Sequence, residues 1–446
     1  MAKSTPINGI SGRCVVQFAQ VGANNQVSTA PVPFFDENQV VHESSKIEAQ
    51  INGPKMATHV LQVRSPDYIN KYLIPQLASS TPFLQYRLGI SSGNSTVWLP
   101  FERHVILNDT IQVLPDSTSG PRVAFRTADL LWLLGFSHVR THKGPISSMV
   151  SKLWTNTTSS LAANTIIEPT LIPGRGSTSD TAGVYYQSED TDLEFIKDRL
   201  LPRAVSTSGR SGYRFFVLDD IFHFHTPGYG QSTSKAIKYS SNAPLANDLQ
   251  VVDRSVEYAQ NGSTGVAVYS YDPVTGTAKT LNSSPTNVAI FSTQRGGFNG
   301  LVTISGHIGQ NLEIDEQSKA QHLYSVYRNE TYDAELTLVS NLDLRLGDIV
   351  TLQVSAGQTR TAYSGYWEVT SHIFSVDNSA LTTAVHLSRG EIDIPAGKTL
   401  SDPNGVAGAT NELTPNIAPA TAGSGGTPTP MPSQVSSGKV VQVTQQ

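Results

Sequence analysis

The chain has 446 residues, and at about 100–200 residues per domain this length predicts two to four domains with ample material for sizeable cores. Only 15% of the residues are charged, the formal net charge is −5 and the pI is about 6.1, which argues against a protein that coats nucleic acid, because phosphate neutralisation needs a concentrated excess of Lys and Arg. A single cysteine, Cys14, excludes an intrachain disulfide, so stability must come from packing or assembly.

The opening "MAKSTPINGI" lacks an apolar stretch of signal-peptide length, and no run of 18 apolar residues occurs. Both features predict a soluble protein made in the cytosol, without stable membrane binding. The sequons at Asn94-Ser95-Thr96 and Asn329-Glu330-Thr331 then carry no expected function. Ser, Thr, Asn, Gln and Gly crowd the segments between apolar runs, as in β-rich proteins with many turns.

From Gly12 to about Leu114, short apolar runs such as "RCVVQFAQV", "HVLQVRS", "PFLQYRLGI" and "DTIQVL" alternate with turn-rich gaps, which predicts a small sheet or barrel. "SPDYINKYLIPQLAS" interrupts them as a helix, with Ser65 as N-cap and Pro66 at the first helical position. In "TADLLWLLGF", Thr127 is placed to cap a second helix and Gly135 to end it. "GPISSMVSKLWTNT" starts a third at Pro145, with Ile146, Met149, Val150 and Leu153 on one face.

"YYQSEDTDLEFIKDRLLPRA" predicts a strand end running into a fourth helix. Thr191 and Glu194 have capping-box spacing, Leu193, Ile196 and Leu200 line one face, and Pro202 stops the helix. The runs "YRFFVL" and "IFHFHT" are separated only by Asp219-Asp220, which predicts a hairpin lacking the glycine that a type I′ turn prefers. The polar stretch from Gly228 to about Ala289 is read as a connector with some paired strands. Periodicity returns in "LRLGDIVTLQVS", "GYWEVTSHIFSV" and "LTTAVHLSR", a second β-domain in which Ile349, Thr351 and Gln353 alternate with Val350, Leu352 and Val354. From about Ile394 the chain is rich in Pro, Gly, Ser and Thr, a composition expected to be disordered alone and to reach for a partner subunit. The expected divisions are 1–125, a first β-barrel; 126–228, an α/β insertion; 229–290, the connector; 291–395, a second barrel; and 396–446, the tail.

Sites of chemistry are scarce. His223 and His225 share one strand face below Asp219 and Asp220, a spacing found in metal sites, but no third ligand follows and an ordinary strand face holds two histidines equally well. "GYGQST" at Gly228 lacks the remaining elements of a phosphate-binding loop and reads as a turn. Neither a Gly-x-Ser-x-Gly elbow nor a His-Glu-x-x-His pair occurs, and "HESSK" at His42 lacks the second histidine. Cys14 lies inside an apolar run and reads as a small core residue. Phe215, Phe216, Phe222 and Phe224 occupy both faces of their strands with Arg214 as the one basic neighbour, which favours core packing and an interface over base stacking.

The order of these pieces resembles the phage baseplate hub family, also called the late control protein D family, whose hub module also forms the upper part of type VI secretion spikes. A first block carries the resemblance on Tyr186, Gln187, the helix from Asp192 through Phe195 to Leu200, Phe215 to Val217, and Phe222 through Phe224 to Pro227. A second carries it on Gly347-Asp348, Gly365-Tyr366 with Val369 and His372, and His386 to Arg389. Together they cover about a third of the chain.

The resemblance implies a mainly β fold with an α+β insertion: two small tail-tube-like β-barrel domains flanking an α/β domain. It implies a homotrimer whose six barrels make a pseudo-sixfold ring, joining a hexameric tail tube to a trimeric central spike and lining the genome-exit channel. The implied partners are the tail-tube protein, the central spike, other baseplate (wedge) proteins and a tape-measure protein, with DNA passing only transiently. The implied location is the baseplate of a contractile phage tail, after synthesis in the host cytoplasm. No catalytic residue, metal or cofactor is expected. Two rival readings are a host-receptor or carbohydrate-binding tail protein, which the Ser/Thr-rich β composition permits, and a tail-associated hydrolase.

Overall fold

A computed structural model of the protein describes residues 13–231 apart from 23–24, 29, 80–82, 93–94, 118–119, 137–139, 160, 162, 172–183, 188, 205 and 208–211. Beyond these it describes 235–239, 251–258, 265–272, 277–279, 301–307, 332–339, 341–354, 366–388 and 441–444. The fold is mainly β. The first unit contains β1 (Arg13–Gln20), β2 (Val40–Gln50), β3 (Met56–Val63), β4 (Phe83–Ser92), β5 (Ser95–Trp98), β6 (Glu102–Ser117) and β7 (Gly120–Asp129). The insertion adds β8 (Arg140–Lys143), β9 (Asn164–Ile167), β10 (Val184–Gln187), β11 (Arg214–Leu218) and β12 (Ile221–His225). Then follow β13 (Lys235–Tyr239), β14 (Val251–Tyr258), β15 (Gly265–Asp272), β16 (Thr277–Lys279), β17 (Leu301–His307), β18 (Tyr332–Val339), β19 (Ile349–Val354), β20 (Tyr366–Asp377), β21 (Ala380–Ser388) and β22 (Val441–Thr444).

One sheet runs in the order β1-β4-β6-β7-β3-β2-β20-β21-β18-β14, so the N-terminal strands and those from the far end of the chain are hydrogen-bonded neighbours through β2 and β20. The turn between β20 and β21 reaches back to β1, where the Cys14 amide donates to the Ser379 carbonyl (2.8 Å). The first unit is thereby closed by a hairpin from the opposite end of the chain. Its tip residues Phe374, Val376 and Leu381 join Phe18, Leu61, Leu88 and Phe125 in one core. Its base residues Trp367, Val369, Val385 and Leu387 join Leu336, Leu338 and Val350 in a second.

A bulge lets one hairpin face serve both cores. On β21 the buried residues are Leu381, Thr383, Val385 and Leu387, a strict alternation. On β20 the core-facing residues pass from odd to even, from Trp367 and Val369 to His372, Phe374 and Val376, with Glu368 buried on the other side in its pair with Arg214, and the register slips between Val369 and Ser371. The extra residue, Thr370, keeps Val376 opposite Leu381 and Val369 opposite Leu387, so the inward face stays continuous.

The insertion has its own core. The helix Ile146–Thr158 buries Ile146, Met149, Val150, Leu153 and Trp154 against Phe215, Phe222 and Phe224 of β11 and β12. The expected capping box is present: Thr191 Oγ1 accepts from the Glu194 amide (3.1 Å) and Glu194 Oε2 accepts from the Thr191 amide (2.9 Å). The helix begins as Asp192–Glu194, widens to π-type turns over Phe195–Leu200 and tightens to a 3₁₀ turn over Leu201–Arg203 around Pro202. The helix expected near Thr127 differs. Thr127 lies within β7, and Leu130–Gly135 is a 3₁₀ helix capped by Asp129, whose Oδ1 accepts from the Leu131 amide (3.1 Å). The β-ladder with β3 and β6 holds Thr127 extended, so the cap falls to the next oxygen-bearing side chain.

In the stretch expected as a connector, β13 pairs in parallel with β19 and β14 pairs antiparallel with β18. A separate sheet has the order β16-β15-β17-β22. Within the expected tail, the described residues are Val441–Thr444, which pair with Val302–Ser305 of β17. Among the described residues no helix is long and apolar enough to cross a membrane.

Candidate functional site

The first unit, the insertion and the second unit meet at a buried cluster of charges. The turn Asp219-Asp220 joins β11 to β12 with φ of 52° and 63°, the left-handed pair of a type I′ hairpin. Two aspartates occupy positions that favour Asn-Gly because tertiary partners hold them. The Asp219 amide donates to Glu102 Oε1 (2.9 Å), and its carboxylate pairs with Arg345. Asp220 accepts from Arg103 Nε through both oxygens (2.9 Å each). Arg103 is 2% exposed; its Nη2 also donates to Asp220 Oδ2, and its Nη1 donates to the carbonyls of Asn25 (2.8 Å) and Leu161.

Glu102 sits at the centre. Its Oε2 accepts from Lys55 Nζ (2.6 Å) and its Oε1 from Arg345 Nη2 (3.3 Å). Burial pushes the Glu102 carboxyl up, but Lys55 and Arg345 outweigh it and hold the group down at about 2. Burial drives His104 and His372 nearby down to about 3, so both are neutral imidazoles at neutral pH. A second buried pair, Arg214 Nε to Glu368 Oε2 (3.3 Å), ties β11 to β20. Lys55, Glu102, Arg103 and Arg345 had no signal in the sequence beyond being charged. The glycine-free Asp-Asp turn was the one local hint that something distant holds this place.

The sequence-predicted residues fall on two seams. Within the insertion, Gln187 lies on β10, its Nε2 donating to Asp192 Oδ1 (2.8 Å) and to the Asp190 carbonyl (3.0 Å) while its Oε1 accepts from His142 Nε2 (3.0 Å). Asp192 is fully buried at the helix start, and Tyr186 registers opposite Thr141. Phe195 stacks on His142 (4.9 Å), and Leu200, Phe215 and Phe224 fill the insertion core.

Within the second unit, the Gly347 amide donates to the Val369 carbonyl and the Val369 amide to the Asp348 carbonyl, both at 2.9 Å. Gly347 has φ +78°, and a Cβ there would lie 2.4 Å from Cζ of Phe216. The Phe216 ring therefore rests on bare backbone, packed with Ala49 and Leu346. Asp348 Oδ2 accepts from the Arg345 amide (2.7 Å) and Lys235 Nζ (2.6 Å). Tyr366 registers opposite Thr351, and His372 is buried on β20 at the charge cluster. Gly365 and Arg389 lie outside the described residues.

His223 and His225 do share a face, and they bond each other, Nδ1 to Nε2 at 3.2 Å. His225 Nδ1 donates to the Thr226 carbonyl (2.8 Å), which leaves its Nε2 as the acceptor for His223. Phe216 stacks on His223 at 4.7 Å, and burial first, then His225, lowers His223 to about 3. Both rings are engaged within the insertion, His223 against Phe216 and His225 beside Tyr229 (5.8 Å). Among the described residues no three His, Cys, Asp or Glu side chains converge as a metal site. Cys14 is buried in the first core, and burial pushes its thiol up to about 12.

No protein-family model matches the chain, and no curated protein matches it by sequence. Solved structures do match it. A tail protein from Neisseria meningitidis MC58 superposes with a TM-score of 0.52 at 9% identity, over 84% of this chain and 96% of that one. The 43 kDa tail protein of prophage MuSo2 from Shewanella oneidensis superposes with a TM-score of 0.53 at 9% identity, over 85% and 98%. A chain of the half-lidded Francisella PdpA–VgrG complex gives a TM-score of 0.50 at 9% identity over 88% of this chain, which spans 60% of that longer one. At these identities the likeness is one of fold: the chain has the fold of these tail proteins.

Proposed function

We propose that this chain is a structural subunit of a phage tail, the central hub of a contractile-tail baseplate, without catalytic activity. The observation that carries the reading is the pairing of two β units through β2 and β20 with an α/β insertion packed across both, in a fold shared with tail proteins along more than four fifths of the chain. Three copies would present six such units as a pseudo-sixfold ring. Such a ring matches a sixfold tube on one face and a threefold spike on the other, and closed symmetry buries further apolar surface in a chain without a disulfide.

In this reading the hub joins the tail-tube protein to the central spike, contacts wedge and tape-measure proteins, and lets DNA pass through a weakly acidic channel that does not retain it. The motif residues Gln187 and Asp192 act as structural fasteners within the insertion and Gly347, Asp348 and His372 as fasteners around the junction, and the 396–446 segment contacts a neighbouring subunit.

The native mass of the purified chain, alone and mixed with the spike protein of the same phage, tests the proposal. A three-chain species in either condition, seen as a ring by electron microscopy, is expected. A monomer in both conditions that binds glycan but neither tube nor spike protein would overturn it in favour of a host-binding role.

A further inference from the structure

Inside the first unit a line of polar side chains crosses four neighbouring strands in sheet order, β2, β3, β7 and β6. His42 Nε2 lies 2.8 Å from Ser45 Oγ, which lies 2.7 Å from His59 Nδ1. His59 Nε2 lies 3.3 Å from Thr127 Oγ1, which lies 3.1 Å from His104 Nδ1. His42 is half-buried, and the other four are buried in the core. The inner end is open. His104 Nε2 has no protein partner, and neither has Oδ2 of Asp129, which is also buried. His104 and Asp129 are directly opposed in the β6–β7 register, so their side chains leave the same face of the sheet. The other oxygen of Asp129 caps the 3₁₀ helix that opens the insertion.

The proton count of the line leaves it a single degree of freedom. Burial holds the three rings neutral at neutral pH, so each carries one N–H. Each hydroxyl has one proton and stands between two ring nitrogens, so it accepts from one and donates to the other. All five members therefore point the same way. Either every ring is protonated on Nε2 and His104 needs an acceptor, or every ring is protonated on Nδ1 and His104 Nε2 needs a donor. An ionised Asp129 meets the first need and a protonated Asp129 the second. Burial raises the Asp129 carboxyl to about 7; Lys55 opposes the rise and is itself engaged by Glu102, whose charge adds to it. Tyr86, with its ring 4.6 Å from that of His104 and its Oη also unpartnered, is a hydroxyl that serves either direction and selects neither.

We propose that this line is a proton relay between solvent at His42 and the buried Asp129 carboxyl, closed by one water between His104 Nε2 and Asp129 Oδ2. A proton from solvent binds His42 Nδ1, and the Nε2 proton of His42 passes to Ser45, whose own proton goes to His59 Nδ1. The Nε2 proton of His59 passes to Thr127, whose own goes to His104 Nδ1, and the Nε2 proton of His104 reaches Asp129 through the water. One proton enters, one arrives, and every member between keeps its count. The state of the carboxyl that caps the insertion is thereby written into the tautomers of three rings as far away as β2. The relay stands independently of the hub reading.

Nitrogen NMR of the full chain labelled with nitrogen-15 histidine reads those tautomers directly. As pH falls from about 8.5 to about 6, His42, His59 and His104 should pass together from Nε2–H to Nδ1–H with one midpoint. His225, whose Nδ1 donates to the Thr226 carbonyl, is the internal reference of fixed tautomer. Asp129→Asn keeps a cap oxygen for Leu131 and offers an N–H in place of the carboxylate, so it should hold all three rings as Nδ1–H throughout. Thr127→Val cuts the line and should stop His42 and His59 from responding. The pH series on the unmodified chain needs neither variant to fold. Rings that change at separate midpoints, a mixed set of tautomers, no change in the unmodified chain, or an Asp129→Asn chain with the tautomers of the unmodified one at about pH 8.5 would each overturn the relay.

Discussion

Gly347 shows how much a single position can carry. The sequence marks it only as part of a Gly-Asp pair, and the reason for glycine is tertiary: a left-handed φ of +78° and the edge of the Phe216 ring 2.4 Å from where a Cβ would stand. The backbone conformation alone costs a non-glycine residue about 1–3 kcal/mol. Gly347→Ala is therefore expected to destabilise the protein by at least that amount in urea unfolding, and Phe216→Leu in the same chain should recover the part due to the clash. A Gly347→Ala chain with unchanged midpoint would show that the ring does not rest there. The Asp219-Asp220 turn teaches the same lesson. Local rules ask for Asn-Gly, and the aspartates are retained because Glu102, Arg103 and Arg345 satisfy them from residues more than a hundred positions away.

Among the elements, the β20–β21 hairpin departs most from what a local reading gives. Alternation in "GYWEVTSHIFSV" marks a strand, but the bulge at Thr370 reverses the parity of the buried residues, and no propensity announces it. Because the tip of the hairpin fills one core and its base the other, the two β units should unfold together. Phe374→Ala removes a ring from the first core and is expected to cost about 3–5 kcal/mol. Calorimetry should show one transition at lower temperature, with Trp367 fluorescence in the second core changing at that same temperature. Two separated transitions would mean that the units are independent and that the shared hairpin does not couple them. The Thr191 helix is the opposite case. Its cap, first turn and stop were all legible, because capping uses atoms three residues apart.

At the scale of the whole molecule, buried neutral histidines set the response to acid. Burial lowers His42 to about 4, and His104, His223 and His372 to about 3, while His59 falls well below its ordinary value. The three in the first unit, His42, His59 and His104, are strung on one hydrogen-bonded path, His42 to Ser45 (2.8 Å), Ser45 to His59 (2.7 Å), His59 to Thr127 (3.3 Å) and Thr127 to His104 (3.1 Å). Below pH 6.5 the unfolded chain takes up protons on these rings and the folded chain does not, so stability is full above that pH and falls as pH drops toward 4. Asp129, raised by burial to about 7 in spite of Lys55, works the other way, since its contribution is lost as pH rises through 4 to 7. Burial raises Asp220, Asp348 and Glu368 as well, each opposed by its basic partner, and these act with Asp129; the imidazoles, lowered to about 4 and 3, outnumber them, so the acid loss is expected to dominate. At pH 5.5 each buried ring costs on the order of 1 kcal/mol. Tm is expected to be level between pH 8 and 7 and to fall steeply below 6.5, and a flat profile down to pH 5 would refute the assignment of neutral, buried rings.

The sequence by itself determined a mainly β fold, a marked helical insertion and a hairpin at Arg214 to His225. Those features are written in period, caps and turns, which act over a few residues. Only the tertiary structure decided that the terminal hairpin closes the first unit and that β2 and β20 join the halves. It also decided that Lys55, Glu102, Arg103, Asp219, Asp220 and Arg345 meet at one buried junction. Pairing between distant strands and compensation between buried charges depend on which surfaces are brought together. A one-dimensional pattern carries no record of that.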